Sequence, residues 1–260
     1  MSSSSAGWKR AMNAAVPAPD FEAYANDSLH VEATFAFADT CRDAMRSARG
    51  TFVDIGAGDG AVLRSALRQG LLDAFDRIVA IDVSPTRVRR ICELAMTRVS
   101  ASVGEAADLP FENGVVDFAF SHQVIEHVPS DAAMAAEIHR VLRRDGTAYV
   151  TSVVKRWYGW YFYRCNGKWR LDPTHVREYR SLEQYAAVFE AAGLRIEHKR
   201  TRELGHRIDK IVFRILERLR LVGRGRLRDI LSDSPAMRFL SRFQIPVPGY
   251  VFVEVLVRKP

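Results

Sequence analysis

Short apolar runs alternate with helical repeats along most of this chain. Phe52 to Ile55 is an apolar run of the length of a buried parallel strand, and Ala61 to Leu67 behind it reads as a helix. Ile78 to Asp82 is a second strand that ends in an acid. Ser84 and Pro85 then supply an N-cap and first turn for a helix through Val88, Ile91, Cys92 and Ala95. A short third strand is expected over Ser100 to Val103 and a fourth over Val115 to Ser121. Ser130 caps a helix over Asp131 to Leu142 whose apolar side is Met134, Ile138, Val141 and Leu142. Asp145-Gly146 turns into a fifth strand, Thr147 to Val154. A helix over Leu182 to Ala192 lies between Ser181 and Gly193; Leu194 opens a sixth strand and Tyr250 to Val257 forms a seventh. This alternation predicts an α/β fold, a doubly wound, mostly parallel seven-stranded sheet between helical layers.

The first strand runs into Gly56-Ala57-Gly58-Asp59-Gly60. Such a loop carries few side chains, so a ligand can lie against backbone N–H groups and a helix N-terminus. Gly56, Gly58 and Ala61 match a dinucleotide fingerprint loosely. Other features point to a different ligand. Asp54, inside the strand, attracts an ammonium where it would repel a pyrophosphate. Asp82 can accept from two ribose hydroxyls, although a dinucleotide fold places an acid similarly. Gly104-Glu105-Ala106-Ala107-Asp108-Leu109-Pro110-Phe111 precedes the fourth strand. Ammonium site, ribose site and third acid, in this order, suit a zwitterionic amino-acid nucleoside.

With these residues, and with Val116-Asp117, Val124-Ile125-Glu126-His127-Val128 and Val141-Leu142-Arg143-Arg144-Asp145-Gly146, the chain resembles class I S-adenosylmethionine-dependent methyltransferases, the type 11 group in particular. The resemblance covers residues near 50 to 154 and implies a Rossmann-like methyltransferase fold with S-adenosyl-L-methionine as cofactor. It implies that Gly56 and Gly58 admit the methionine part, Asp54 binds the ammonium, and Asp82, beside Val83, takes the ribose. Glu105, where relatives more often carry Asp, would accept from the adenine amino group, and Ala106 would offer its backbone N–H. Ser121 and His122 end the fourth strand on the rim where the methyl group would sit.

Composition narrows the setting. The chain has 260 residues, 48% hydrophobic and 27% charged, as in a soluble globular protein. No apolar run approaches a membrane span, and Met1 to Gly7 lacks a signal-peptide core. Cys41, Cys92 and Cys165 are scattered and suggest neither a disulfide framework nor a zinc site. A cytoplasmic protein is expected, possible membrane contact being peripheral. The expected organisation is a mobile arm over 1–20 and one domain over 21–260. Phe21 to Arg49 carries a broken helical pattern; it reads as a packing helix with an exposed His, and Tyr24 and His30 could alternatively reach the cofactor pocket.

Two segments fall outside the core. The first, 155–180, is dense in aromatics and bases (Arg156, Trp157, Tyr158, Trp160, Lys168 and Trp169 among them) and closes with Asp172-Pro173-Thr174-His175-Val176-Arg177-Glu178-Tyr179. It reads as an acceptor segment, since Trp and Tyr give apolar walls with polar edges. The second, 202–248, is read as a basic helical insertion that carries most of the net charge of +7. Its Ile208, Ile211, Val212, Ile215, Leu216 and Leu219 recur at helical spacing. Its apolar face packs on the domain or on a second subunit, or the segment forms a basic lid that recruits an anionic acceptor or an anionic membrane surface carrying one.

Methyl transfer asks little of the protein beyond alignment and removal of a proton. For a hydroxyl acceptor a histidine base is suited, and His175 is the first candidate, with His127 second. Acceptors expected are a small molecule or a glycan, methylated on oxygen or nitrogen. The alternatives are a non-catalytic cofactor-binding regulatory protein, and an RNA methyltransferase; nucleic acid ranks last, because no RNA-binding module is visible.

Overall fold

In the computed structural model the described residues are 21–22, 25, 35–160, 163–165, 168–172, 174–218, 234–240 and 242–260. The expected arm over 1–20, Tyr24, His30 and residues 219–233 of the insertion lie outside them.

The elements run α1 (Asp39–Ser47), β1 (Gly50–Ile55), α2 (Ala61–Arg68), β2 (Phe75–Asp82), α3 (Pro85–Glu93), β3 (Val99–Val103), β4 (Val116–His122), α4 (Asp131–Val141) and β5 (Leu142–Lys155). A hairpin of β6 (Tyr163–Cys165) and β7 (Lys168–Arg170) follows. The chain closes with α5 (Leu182–Ala191), β8 (Arg195–Arg207), α6 (Ile208–Arg218), α7 (Pro235–Leu240) and β9 (Gln244–Arg258). Seven strands form one sheet in the order β3-β2-β1-β4-β5-β9-β8. β1 to β5 are parallel, and β9 enters antiparallel between β5 and β8.

Alternation along each strand decides which face a side chain serves. Val53, Ile55, Val79, Ile81, Ala119 and Val150 pack against α4 and α5 on one face. Phe52, Ile78, Ala80, Phe118, Phe120 and Tyr149 pack against α1 and α2 on the other. There Phe52 stacks on Phe118 and Phe120 on Tyr149, each pair with ring centroids 5.9 Å apart. Burial on both faces explains why these strands read as continuous apolar runs.

The three serine caps form as expected: Ser84, Ser130 and Ser181 accept from the N–H of Arg87, Ala133 and Gln184. Several boundaries differ from the pattern. The second-strand helix stops at Glu93, and Ala95 takes a left-handed φ of 50° beyond it. Strand pairing claims Leu142 from the end of α4 and carries β5 through the Asp145-Gly146 turn to Lys155. β8 and β9 pair beyond the core as far as Arg207 and Gln244, so strand occupies both ends of 202–248. The β6–β7 hairpin inside 155–180 has no signal in the hydrophobic pattern. In α6, Ile208, Ile211, Val212 and Leu216 are half-buried and Ile215 is exposed. Among the described residues no helix is long and apolar enough to cross a membrane.

Candidate active site

The carboxyl ends of β1, β2 and β4 meet at the glycine loop. The N–H groups of Gly56 and Ala57 both donate to the Ile81 carbonyl, at 2.7 and 2.9 Å, so the loop leaves β1 leaning on β2. Gly56 has φ 74°, and a Cβ there would fall 2.3 Å from a Val124 methyl carbon. Only glycine fits, because the loop after β4 closes directly on it. Gly58 is also left-handed, and a Cβ there would stand 3.4 Å from Nη1 of Arg87.

Asp82 ties this loop to the next helix. Its Oδ2 accepts from the Gly58 N–H at 2.8 Å and its Oδ1 from the Ser84 N–H at 3.0 Å. Burial raises its pKa, and the Ser84 N–H, Arg87 and the Gly58 N–H oppose that shift. Asp54 lies deeper, 2% exposed. Desolvation, with the nearby Asp82 charge second, pushes its carboxyl up to about 8. Val83 is exposed beside Asp82.

On the far side, Glu105 is exposed and Ala106 half-buried in a turn closed by the Asp108 N–H on the Glu105 carbonyl at 3.1 Å. Glu137 and Arg140 of α4 hold this loop by the Leu109 N–H and by the carbonyls of Leu109 and Phe111. Ser121 is fully buried and donates to the Ile55 carbonyl at 3.0 Å, joining β4 to β1. His122 turns to the opposite face. Its Nδ1 lies 2.9 Å from the Thr151 hydroxyl, and its ring packs on Phe35 and Phe252. Phe35 and Phe252, with Phe37, Tyr149, Arg202 and Glu254 among others, line a cavity of about 200 Å³.

The two histidine candidates come together. Their rings stand edge to face with centroids 4.7 Å apart. The segment 174–177 docks on the loop after β4: the Val176 and Arg177 N–H groups donate to the Glu126 carbonyl. The Arg177 guanidinium reaches the carbonyls of Ile125, Val128 and Pro129. Glu126, absent from the expected site, is fully buried within this knot. Its Oε2 accepts from Ser152 at 2.9 Å, whereas Oε1 has no hydrogen-bond partner among the described residues. Desolvation raises its pKa to about 7.

Thr174 fixes the tautomer of His127. The Thr174 hydroxyl donates to Asp172 Oδ1 at 2.6 Å and lies 2.9 Å from His127 Nδ1. Its single proton is spent on the carboxylate, so His127 Nδ1 must be the donor in the second bond. Nε2 therefore keeps its lone pair while the ring is neutral, and burial favours that neutral form by lowering the pKa. Arg87 links both halves, because its charge bears on Asp82 and on His127. The described N-terminal residues lean on the same place: Glu22 accepts from the Thr86 N–H, and the Phe21 and His127 ring centroids are 6.3 Å apart.

The spacing of the sequence pattern could not reveal Glu126, Thr174 and Asp172 as one group. The available signal was polar residues interrupting an apolar run in Val124-Ile125-Glu126-His127-Val128. Glu178 and Tyr179 serve packing: Glu178 accepts from Leu171 and Tyr250, and Tyr179 donates to Asp131.

Comparison with known proteins finds a match over the central part of the chain. Residues 53–150 match the methyltransferase domain model named Methyltransf_11. The 2-methyl-6-phytyl-1,4-hydroquinone methyltransferase of Synechocystis is 30% identical over 135 residues, which is 51% of this chain and 40% of that protein. The chain spans less than half the length of the curated relatives it matches. In fold it is similar to the [4+2]-cyclase SpnF, with a TM-score of 0.58, 24% identity, and 85% of this chain and 81% of that chain covered. It is also similar to Haemonchus contortus phosphoethanolamine N-methyltransferase 2 in complex with S-adenosyl-L-methionine (TM-score 0.55, 18% identity, 81% of this chain and 49% of that one).

Proposed function

We propose that this chain is a class I S-adenosylmethionine-dependent methyltransferase that methylates a hydroxyl oxygen of a small-molecule or glycan acceptor, a reading supported by the match of residues 53–150 to the methyltransferase domain model. The observation that carries the oxygen assignment is the cluster of buried Glu126 and His175 with half-buried His127, which shares Arg87 as a neighbour with the glycine loop. A hydroxyl must lose a proton as the methyl arrives, and these groups stand ready to take it. An amine acceptor would need no such buried assembly.

When bound, the cofactor supplies an activated methyl on its sulfonium. In this reading Asp54 meets its ammonium, Gly56 and Gly58 let its methionine part approach the backbone, and Asp82 accepts from its ribose. Glu105 and the Ala106 N–H receive the adenine. Ser121 braces the rim, and His122 orders the wall between that rim and the neighbouring cavity. His127, with its Nε2 lone pair exposed by the Thr174 bond, and His175 against it face the acceptor.

The fold alone leaves the reaction open, as its likeness to a cyclase illustrates. The deciding assay follows S-adenosylhomocysteine production with matched hydroxyl and amine acceptors. His127→Ala and His175→Ala should each lower turnover of the hydroxyl acceptor and leave cofactor affinity intact. Cofactor binding without turnover on any acceptor would favour a regulatory role instead.

A second reading concerns where the acceptor is met. Trp157 is 95% exposed, and Tyr158 and Trp160 are exposed beside it. The Arg156 N–H and the Trp160 N–H donate to the carbonyls of Gly249 and Pro248, which brings this stretch, with its own Arg156, against β9. Aromatics with polar edges next to bases suit an anionic membrane surface, and a lipid-borne acceptor would be met there.

A further inference from the structure

Resting on that reading of the acceptor site, we propose that Glu126, His127 and His175 bind a divalent transition-metal ion that in turn holds the acceptor's oxygen. One ligand atom from each of the three lies within 4.8 Å of the others. That spread exceeds the roughly 3–4 Å between donors on one ion at about 2.1 Å, so loading draws the two imidazoles inward.

Three independent features converge on this site. First, Glu126 is fully buried and its Oε1 meets no donor among the described residues. A buried carboxylate oxygen without a partner is costly, and a cation is the partner that removes both the charge and the vacancy in hydrogen bonding. Second, His127 is arranged as a metal-bound imidazole usually is. One ring nitrogen is tied to an oxygen acceptor that is itself tied to a carboxylate, through Thr174 and Asp172, and the other nitrogen is left with its lone pair. Third, His175 is held against it by a tight turn, its N–H on the Asp172 carbonyl at 3.3 Å, and by the Val176 and Arg177 contacts to the Glu126 backbone. The ligands therefore come from two segments already stapled together.

The donor set selects the ion class. Two imidazoles and one carboxylate suit zinc, iron(II), manganese or cobalt and disfavour magnesium, which prefers oxygen ligands. Among the described residues no cation bonds Glu126 Oε1: Arg177 reaches three carbonyls and Asp131, and Arg87 lies toward the glycine loop. Three protein ligands leave coordination positions for the acceptor, and an acceptor with a second oxygen adjacent to its hydroxyl would chelate. On binding, the hydroxyl loses its proton to solvent, because the imidazole lone pairs that take it in the unloaded site are then held by the metal. The new O–C bond forms as the S–C bond of the cofactor breaks, and that electron pair stays on sulfur.

The test uses the full chain, stripped by chelator and titrated with cobalt(II), zinc(II) and manganese(II). Binding is read by elemental analysis after desalting and by the visible spectrum of cobalt. We expect one equivalent of metal per chain. Thr174→Val, which frees the His127 ring, should weaken binding about 10–100-fold, and His175→Ala should weaken it more. S-adenosylmethionine binding, measured on the same variants, reports that they are folded and tests the cofactor reading separately. Stripped protein that takes up none of the three ions, or a His175→Ala variant that binds them as tightly as the parent, would overturn the metal site. So would full methyl transfer in excess chelator, an outcome that leaves the proposed function standing.

Discussion

Asp82 and Glu126 are both buried carboxylates near the same edge of the sheet, yet the fold treats them differently. Asp82 receives a backbone N–H on each oxygen, from Gly58 and Ser84, residues of the two loops that flank β1 and β2. Glu126 receives one hydroxyl, and its second oxygen has no partner among the described residues. The half proposed for the cofactor is thus organised by backbone that is already committed to the core. The half proposed for the acceptor depends on residues 172 and 174–177 folding back onto the loop after β4. The contrast separates a site that is finished by the fold from one that is finished by its ligand.

The strongest test of this contrast is cofactor affinity. Asp82→Ala should weaken S-adenosylmethionine binding by roughly 1.5–3 kcal/mol, the range for hydrogen bonds to charged groups. Glu126→Gln should leave it unchanged. Calorimetry that finds the two variants equally impaired would erase the distinction.

Next in size are the glycines. Gly56→Ala forces a Cβ to 2.3 Å from a Val124 methyl at φ 74°, whereas Gly58→Ala meets only Arg87 Nη1 at 3.4 Å. Gly58→Ala should cost about 1–2 kcal/mol of backbone strain, and Gly56→Ala more, since it must also displace the loop that carries Glu126 and His127. Urea midpoints in the reverse order would mean that the Val124 contact yields easily.

The Asp54 effect is smaller and depends on pH. Its folded pKa, about 8, lies above the ordinary 3.8, so the native state holds a proton that the unfolded chain releases. Stability from this group is intact at low pH and declines as pH rises from about 4 toward about 8, then levels. Asp54→Asn stays neutral, so its advantage in thermal midpoint should grow across that window and plateau above it. The cofactor ammonium favours the charged carboxylate, so binding to the parent near neutral pH should release a proton. Calorimetry in buffers of different ionisation enthalpy would detect that release, and its persistence in Asp54→Asn would remove Asp54 from the ammonium site.

The weakest expected effect is at the surface. Each base near an anionic membrane contributes about 1 kcal/mol, screened over about 10 Å at 0.1 M salt. Anionic vesicles should therefore retain the chain at low salt and release it at high salt, and Trp157→Ala with Trp160→Ala should lower retention. Half-burial of Ile208, Ile211, Val212 and Leu216 already assigns much of the α6 apolar side to packing. Equal recovery with neutral and anionic vesicles would end the membrane reading.

Legibility follows the same division. The strands β1, β2 and β4 and the caps Ser84, Ser130 and Ser181 were visible because local pattern and local hydrogen bonds determine them. The lengths of β5, β8 and β9 were not, since strand pairing recruits residues such as Leu142 and Glu203 to Arg207 whose own pattern is not strand-like. His127 and His175 could be picked out by residue type. Their contact could not, because it depends on Arg177 reaching the carbonyls of Ile125, Val128 and Pro129.

The sequence by itself determined the order of strands and helices, the glycine turn and the acids at the ends of β1 and β2. Each rests on interactions between near neighbours: apolar periodicity, a cap three residues away, a φ that only glycine adopts freely. Tertiary structure alone decided that Glu126 loses its solvent, that Thr174 sets the tautomer of His127, and that His175 stands against that ring. Those outcomes depend on desolvation and on partners some fifty positions away in the chain, which the pattern along it does not encode.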